Sequence, residues 1–350
     1  MTDDPEVIDV RDEERLDETR LEPYLRAHLP VSGAFALRQF GGGHANLTYL
    51  VRFGEDEYVL RRPPLGPVAE HAHDMTREHK VLSELYRAFP LAPRSFLLCT
   101  DHAIIGADFV IEERKRGIAI RRDLPEAYRD DIVFARRLGN AIVQTLAQLH
   151  HVDVVAAGLE GLGRPDGYVA RQLDGWEKRW LAARTNGTSD ASPLLAWLRR
   201  RLPQSPAATI VHNDFKLDNM LLAPDDPARI VALLDWDMCT YGDPLMDLGY
   251  VLALWPESSD PPAFRAWGMP TWRAGFPTRA EVVQQYAAAT GFDVTHVGWY
   301  HVFNIFRFAA ILQQIYKRYE AGQTHDERFA PFGTQANGLI ALASAMLRAL

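Results

Sequence analysis

The sequence predicts an α+β fold in two lobes, a small N-terminal lobe built on a sheet and a larger, mainly helical C-terminal lobe. Three observations predict it. The 350 residues suggest about two domains or lobes, at roughly 150 residues each. Short segments before residue 113 alternate apolar and polar residues, which is strand patterning. Beyond Gly117 the apolar residues recur at helical spacing instead.

The composition is 47% hydrophobic and 24% charged, enough apolar material to bury a substantial core and unlike a disordered chain. A formal net charge of -8 argues against a nucleic-acid partner held by overall basicity. Two cysteines, Cys99 and Cys239, exclude a disulfide framework and a cysteine-rich zinc module, and a reducing cytoplasm is the simpler setting. The acidic N-terminus resembles neither a secretory signal nor an Arg-rich transit peptide. No apolar run reaches the roughly 18–20 residues that span a bilayer. The expectation is a cytoplasmic protein with neither a membrane nor a nucleic-acid partner.

Residues 1–20 read as an acidic arm, 21–112 as the N-terminal lobe and 113–350 as the C-terminal lobe, with a hinge near 112–117. In the first lobe a short helical stretch covers Leu21–His28. The alternating segments Phe35–Phe40, Leu47–Phe53 and Tyr58–Arg61 read as strands, the last two separated by the polar turn Gly54–Glu57. A helix is predicted from about Asp74 to Phe89, with Val81, Leu82 and Leu85 on one face, and Ala107–Glu112 reads as a buried strand. In the second lobe Phe134, Leu138, Ile142, Leu146 and Leu149 mark a long amphipathic helix over 131–150. A Trp-rich helix follows at 168–184. Thr209–Val211 and Ile230–Leu234 are short apolar strands around a polar loop. Residues 256–277 read as a loop covering a site, and Thr278 with Glu281 forms a capping box opening a helix over 279–290.

That polar loop carries His212-Asn213-Asp214-Phe215-Lys216-Leu217-Asp218-Asn219, and the strand after it ends in Asp235-Trp236-Asp237. Phosphoryl transfer needs a carboxylate to orient a hydroxyl and accept its proton. It also needs oxygen ligands for Mg²⁺ and a cation facing the moving group. Asp214 suits the first role, Asn219 and Asp235 the second and Lys216 the third. Mg²⁺ favours oxygen donors and few protein contacts, which an Asn and Asp pair provides.

The loop resembles the protein-kinase pattern H-x-D-x-x-x-x-N, and Asp235-Trp236-Asp237 stands where that fold has D-F-G. Asn213 replaces the Arg that senses a phosphorylated activation loop. Only Asp237 to Gly242 separates this turn from Gly242-Asp243-Pro244-Leu245-Met246-Asp247-Leu248, which leaves no room for such a loop. The chain therefore resembles the aminoglycoside phosphotransferase family of small-molecule kinases. Gly163-Arg164-Pro165-Asp166-Gly167-Tyr168, Arg171-Gln172, Trp176 and the segment Leu146–Asp153 are similar to the branch also found fused to acyl-CoA dehydrogenase domains. The likeness covers roughly residues 33–320.

The resemblance implies a protein-kinase-like fold, ATP (or GTP in its place) as donor, Mg²⁺, and a small-molecule hydroxyl acceptor. It makes Gly41, Gly42, Gly43 and Asn46, between two strands, a phosphate cover. Glycines let backbone N–H groups approach phosphates, although the loop is not a Walker A sequence. Arg61 occupies the place of the usual nucleotide-binding Lys, with Glu78 as its helical partner. Arg62 is the fallback, aimed by strand alternation at the opposite face. Glu112 falls at the inter-lobe hinge, where backbone groups usually read the base. His212 is expected to orient the catalytic loop and Asp247 to accept bonds from its backbone. His150 and His151 read as core or cap residues, and Trp299–Arg307 as mostly core, with some of its aromatics an alternative lining for an acceptor pocket. The acceptor stays open between an aminoglycoside and a hydroxyacyl-CoA-like metabolite, which the basic cluster Arg114–Arg116 could meet. A nucleotide-sensing pseudokinase is the non-catalytic alternative.

Overall fold

The computed structural model describes residues 6–42, 46–65, 74–121, 123–265 and 267–348. The first elements in chain order are β1 (Val7–Ile8), α1 (Glu18–His28), β2 (Phe35–Phe40), β3 (Leu47–Phe53), β4 (Asp56–Arg62), α2 (Met75–Leu82), β5 (Ser95–Cys99), α3 (His102–Ile105), β6 (Phe109–Glu113) and β7 (Ile118–Ala119). An antiparallel sheet forms in the order β1-β2-β3-β4-β6-β5. Strand alternation divides its residues cleanly. Tyr49, Val51, Phe53, Leu60, Phe109 and Ile111 face a core completed by Leu21 and Leu25 of α1. The pairs Leu50 with Val59, Thr48 with Arg61, and Val59 with Glu112 put those residues on the other face.

The acidic segment is part of this sheet from Val7 onward. β1 pairs with β2, the Tyr49 hydroxyl donates to the Glu14 carbonyl at 2.7 Å, and Leu16 joins the core. Charge patterning alone suggested an extended arm, yet Val10 and Leu16 give the segment an apolar side to bury. The helix predicted over 74–89 ends at Leu82. A separate 3-10 turn at Leu85–Arg87 follows and buries Leu85, with Phe89 buried just beyond it.

The remaining elements are α4 (Ile132–His150), α5 (Tyr168–Ala183), α6 (Ser192–Arg200), β8 (Thr209–Val211), β9 (Met220–Leu222), β10 (Ile230–Leu233), β11 (Thr240–Gly242), α7 (Leu245–Ala253), α8 (Pro262–Arg265), α9 (Arg279–Thr290), α10 (Val297–Glu320) and α11 (Phe332–Met346). α4 starts where Asp131 accepts from the Phe134 N–H, and it buries the apolar stripe anticipated for it. The Thr278–Glu281 capping box is formed. α7 is buried along its whole length and packs on α10. A Cβ on Gly249 would lie 2.6 Å from the Tyr300 backbone, so only glycine lets these two helices approach so closely. Among the described residues no helix is long and apolar enough to cross a membrane.

The chain clusters into two compact units. The first comprises Met1–Ala119, Val155–Leu162 and Asn219–Cys239, and the second comprises Ile120–Val154, Gly163–Asp218 and Thr240–Leu350. The first unit thus holds a second small sheet, β10-β9-β7, and the second unit holds the pair β11-β8.

Candidate active site

In the second unit a buried carboxylate anchors the backbone of the loop after β8. Asp247 of α7 accepts the His212 N–H at Oδ2 and the Asn213 N–H at Oδ1, each at 2.7 Å. Its other neighbour is His150, whose Nε2 lies 3.3 Å from Asp247 Oδ2 and whose Nδ1 lies 2.6 Å from the Tyr286 hydroxyl. His150 therefore ties α4 and α9 to the loop's anchor, a larger role than the core or cap position assigned from sequence. Asn213 adopts φ 66°, a left-handed backbone that costs any residue other than glycine some strain and that Asn tolerates best. It is held from two sides. The Tyr168 hydroxyl donates to Asn213 Oδ1 at 3.1 Å, and Arg307 Nη2 donates to the Asn213 carbonyl at 2.9 Å. The Asp214 N–H donates to His212 Nδ1 at 3.2 Å, so His212 shapes the loop as anticipated. Met269, in the segment expected to cover the site, accepts the Leu217 N–H at its sulfur at 3.4 Å.

These restraints present Asp214 with a donor on each oxygen. Lys216 Nζ lies 2.9 Å from Oδ2, and the Tyr250 hydroxyl donates to Oδ1. Burial, and then the charge of Asp214, push the Tyr250 hydroxyl well above its ordinary range, so it stays a donor at neutral pH. Tyr250 was missed in the sequence because the motif reading stopped at Leu248. The available signal was its position one helical turn after Asp247, on the same face of α7. Arg307 was missed because it sits within an aromatic run that reads as core.

In the first unit Arg61 gathers the predicted acidic residues. Its Nε lies 3.1 Å from Glu78 Oε1, and its Nη2 donates to Asp235 Oδ1 at 2.7 Å. Burial alone would lower the Arg61 guanidinium, but Glu78, Asp235 and Glu112 outweigh it and raise it. Glu112 is 4% exposed, and burial, opposed by Arg61 and aided by Asp235, pushes its carboxyl up to about 7. Glu112 lies inside β6, paired with Val59 and Ser95, and not in the connector after it. Burial likewise pushes Glu78 up against the pull of Arg61. Arg62 points to the opposite face, as alternation requires, and donates to the Ile105 carbonyl at 3.1 Å.

Asn219 and Asp235 flank the same end of the β9–β10 pair. Met220 pairs with Leu233, and the Leu234 N–H donates to the Asn219 carbonyl at 2.8 Å. Trp236 is fully buried, donates from Nε1 to the Leu233 carbonyl at 2.8 Å, and packs edge-on against Phe89, which fixes the turn. Asp235 itself has φ 68° and, with Asn213, is one of two left-handed residues other than glycine among the described residues. An amide and a carboxylate oxygen from adjoining backbone fit Mg²⁺, which keeps several waters and takes few protein ligands. Among the described residues no group of three or more His, Cys, Asp or Glu is gathered around one point. Gly41 receives the end of β2, its N–H donating to the Glu6 carbonyl at 2.8 Å, and Gly42 follows it. Asn46 is buried at the start of β3. Gly43 lies outside the described residues.

Residues 36–294 match the model of a phosphotransferase enzyme family. The chain is 32% identical over 346 residues to acyl-CoA dehydrogenase family member 10 of Mus musculus, a match covering 97% of this chain and 32% of that protein. It thus spans about a third of that relative's length. A crystal structure from Ralstonia eutropha, assigned as an aminoglycoside phosphotransferase, is similar at TM-score 0.83 and 28% identity, covering 96% of this chain and 99% of that one. A thermostable mutant of an aminoglycoside phosphotransferase, in ternary complex with ADP and hygromycin B, shares the fold at TM-score 0.57 and 16% identity, covering 92% and 97% of the two chains.

Proposed function

The chain belongs to the phosphotransferase enzyme family, and from that premise we propose that it transfers the γ-phosphoryl group of ATP, with Mg²⁺, to a hydroxyl of a small molecule. The observation that carries this reading is Asp214, anchored through Asp247 and paired with Lys216 at 2.9 Å. Asp214 orients the acceptor hydroxyl and takes its proton as the new O–P bond forms, the bond between the γ-phosphorus and the bridging oxygen breaks, and ADP leaves. Lys216 offsets negative charge on the transferring group. Asn219 and Asp235 would hold Mg²⁺, which when bound neutralises phosphate charge. Arg61, braced by Glu78 and with Glu112 beside it, binds phosphate oxygens, which Gly41, Gly42 and Asn46 would cover. In this reading residues 21–112 form the nucleotide lobe and 113–350 the catalytic and acceptor lobe. ADP in the ternary complex of the related fold supports a nucleotide donor.

The similarity to acyl-CoA dehydrogenase family members favours a hydroxyacyl-CoA-type acceptor over an aminoglycoside. The test is incubation with Mg-ATP and both acceptor classes, followed by mass spectrometry for a gain of phosphate. Phosphorylated hydroxyacyl-CoA is expected, with Asp214→Asn losing about 10²–10⁴ of the rate. No phosphorylated product would sink the catalytic reading and favour a nucleotide-binding pseudokinase, and an unchanged rate in Asp214→Asn would remove Asp214 as the base.

A further inference from the structure

A carboxylate that must take a proton from a particular direction has to be held in one plane. The terminal torsion of Asp is broad, so the side chain does not fix that plane itself. Lys216 cannot fix it either, because an ammonium on a flexible four-carbon stem is a rotatable point charge. Tyr250 differs on both counts. Its ring is rigid and 4% exposed, stacks on Phe308 at 5.2 Å and 20°, and lies under the Arg307 guanidinium at 5.1 Å. Arg307 also bonds the Asn213 carbonyl, so the residue that flanks the Tyr250 ring also restrains the loop carrying Asp214. The Tyr250 hydroxyl ends this assembly on Asp214 Oδ1.

We propose that Tyr250 is a positioning residue: its hydroxyl fixes the plane of the Asp214 carboxylate, leaving Oδ2, on the Lys216 side, to receive the acceptor proton. This rests on the reading of Asp214 as the base. Tyr250 keeps its own proton throughout and donates only a hydrogen bond. The single proton that moves goes from the acceptor hydroxyl to Asp214.

The test compares wild type, Tyr250→Phe and Asp214→Asn, using Mg-ATP and the hydroxyacyl-CoA and aminoglycoside acceptors. Phenylalanine keeps the ring and its stacking. Its kcat is expected to fall about 10–100-fold, the worth of a hydrogen bond to a charged group. The KM values for ATP and acceptor are expected to stay within about twofold, since ground-state binding is untouched. Mg-ADP binding by calorimetry should match wild type, and the melting temperature should fall only by the few degrees that one lost hydrogen bond entails. An unchanged kcat overturns the proposal while Asp214 keeps its role. A loss of kcat accompanied by raised KM and weaker ADP binding also overturns it, because that pattern belongs to packing. An Asp214→Asn enzyme as active as wild type, or an inactive wild type, removes the base and the proposal with it.

Discussion

Glu112 shows what a sequence can and cannot reveal about one side chain. Its place near the end of an apolar strand was legible, but its burial beside Arg61 was not, because that depends on pairing with Val59 across the sheet. The consequence is measurable. Its carboxyl titrates near 7 in the folded protein against about 4.3 in an unfolded chain. The folded state therefore binds that proton more tightly. The resulting stabilisation is full below about pH 4.3 and is lost as pH rises through about 7. Glu112→Gln should flatten the decline in urea midpoint between pH 5 and 8. A variant with the same slope as wild type would refute the assignment. Arg61→Ala should cost about 3–5 kcal/mol in chemical denaturation, because it removes the buried cation that bridges Glu78 and Asp235. A cost below about 1 kcal/mol would mean that Glu78 takes up a proton without penalty. Asp214, Lys216, Asn219 and Asp235 were legible as residues because they recur at fixed spacing within one short stretch. Tyr250 and Arg307 were not, since their meaning lies in what two helices bring to the same loop.

Among the elements, long amphipathic ones were read well and short ones poorly. α4 declares itself through five apolar positions on one face. β9 is three residues hidden at the end of a polar motif, and β5 follows a proline-flanked turn with no clear alternation. Both are strands because neighbours pair with them, not because their own patterning demands it. α7 is the element on which the candidate site depends most, carrying Asp247 and Tyr250 on one face while Gly249 lets it meet α10. Gly249→Ala places a methyl group 2.6 Å from the Tyr300 backbone. Overpacking of that kind is expected to destabilise by about 1–3 kcal/mol. A melting temperature unchanged within experimental error would show that α7 shifts without cost. A stabilised variant would contradict the packing argument outright.

For the whole molecule, the order of residues along the chain is not the order in which the units are built. The first unit draws on three separate stretches, and the division falls inside the motif, between Asp218 and Asn219. Hydropathy and motif spacing gave the two lobes but not this interleaving, which arises because β7 finds its partner in β9 far along the sequence. A fragment of residues 1–119 therefore lacks both β9 and β10, and it lacks the Asp235 that pairs with Arg61. It is expected to unfold in urea without a sharp transition, while the full chain unfolds cooperatively. A steep, reversible transition in the fragment would show that the six-stranded sheet suffices alone.

The pairing of Ile118–Ala119 with Leu221–Leu222 also sets a schedule for synthesis. At roughly 5–20 residues per second, a ribosome needs on the order of ten seconds after β7 emerges to deliver β9 and β10. Throughout that interval Ile118 and Ala119 of the nascent first unit wait for the strand with which they pair.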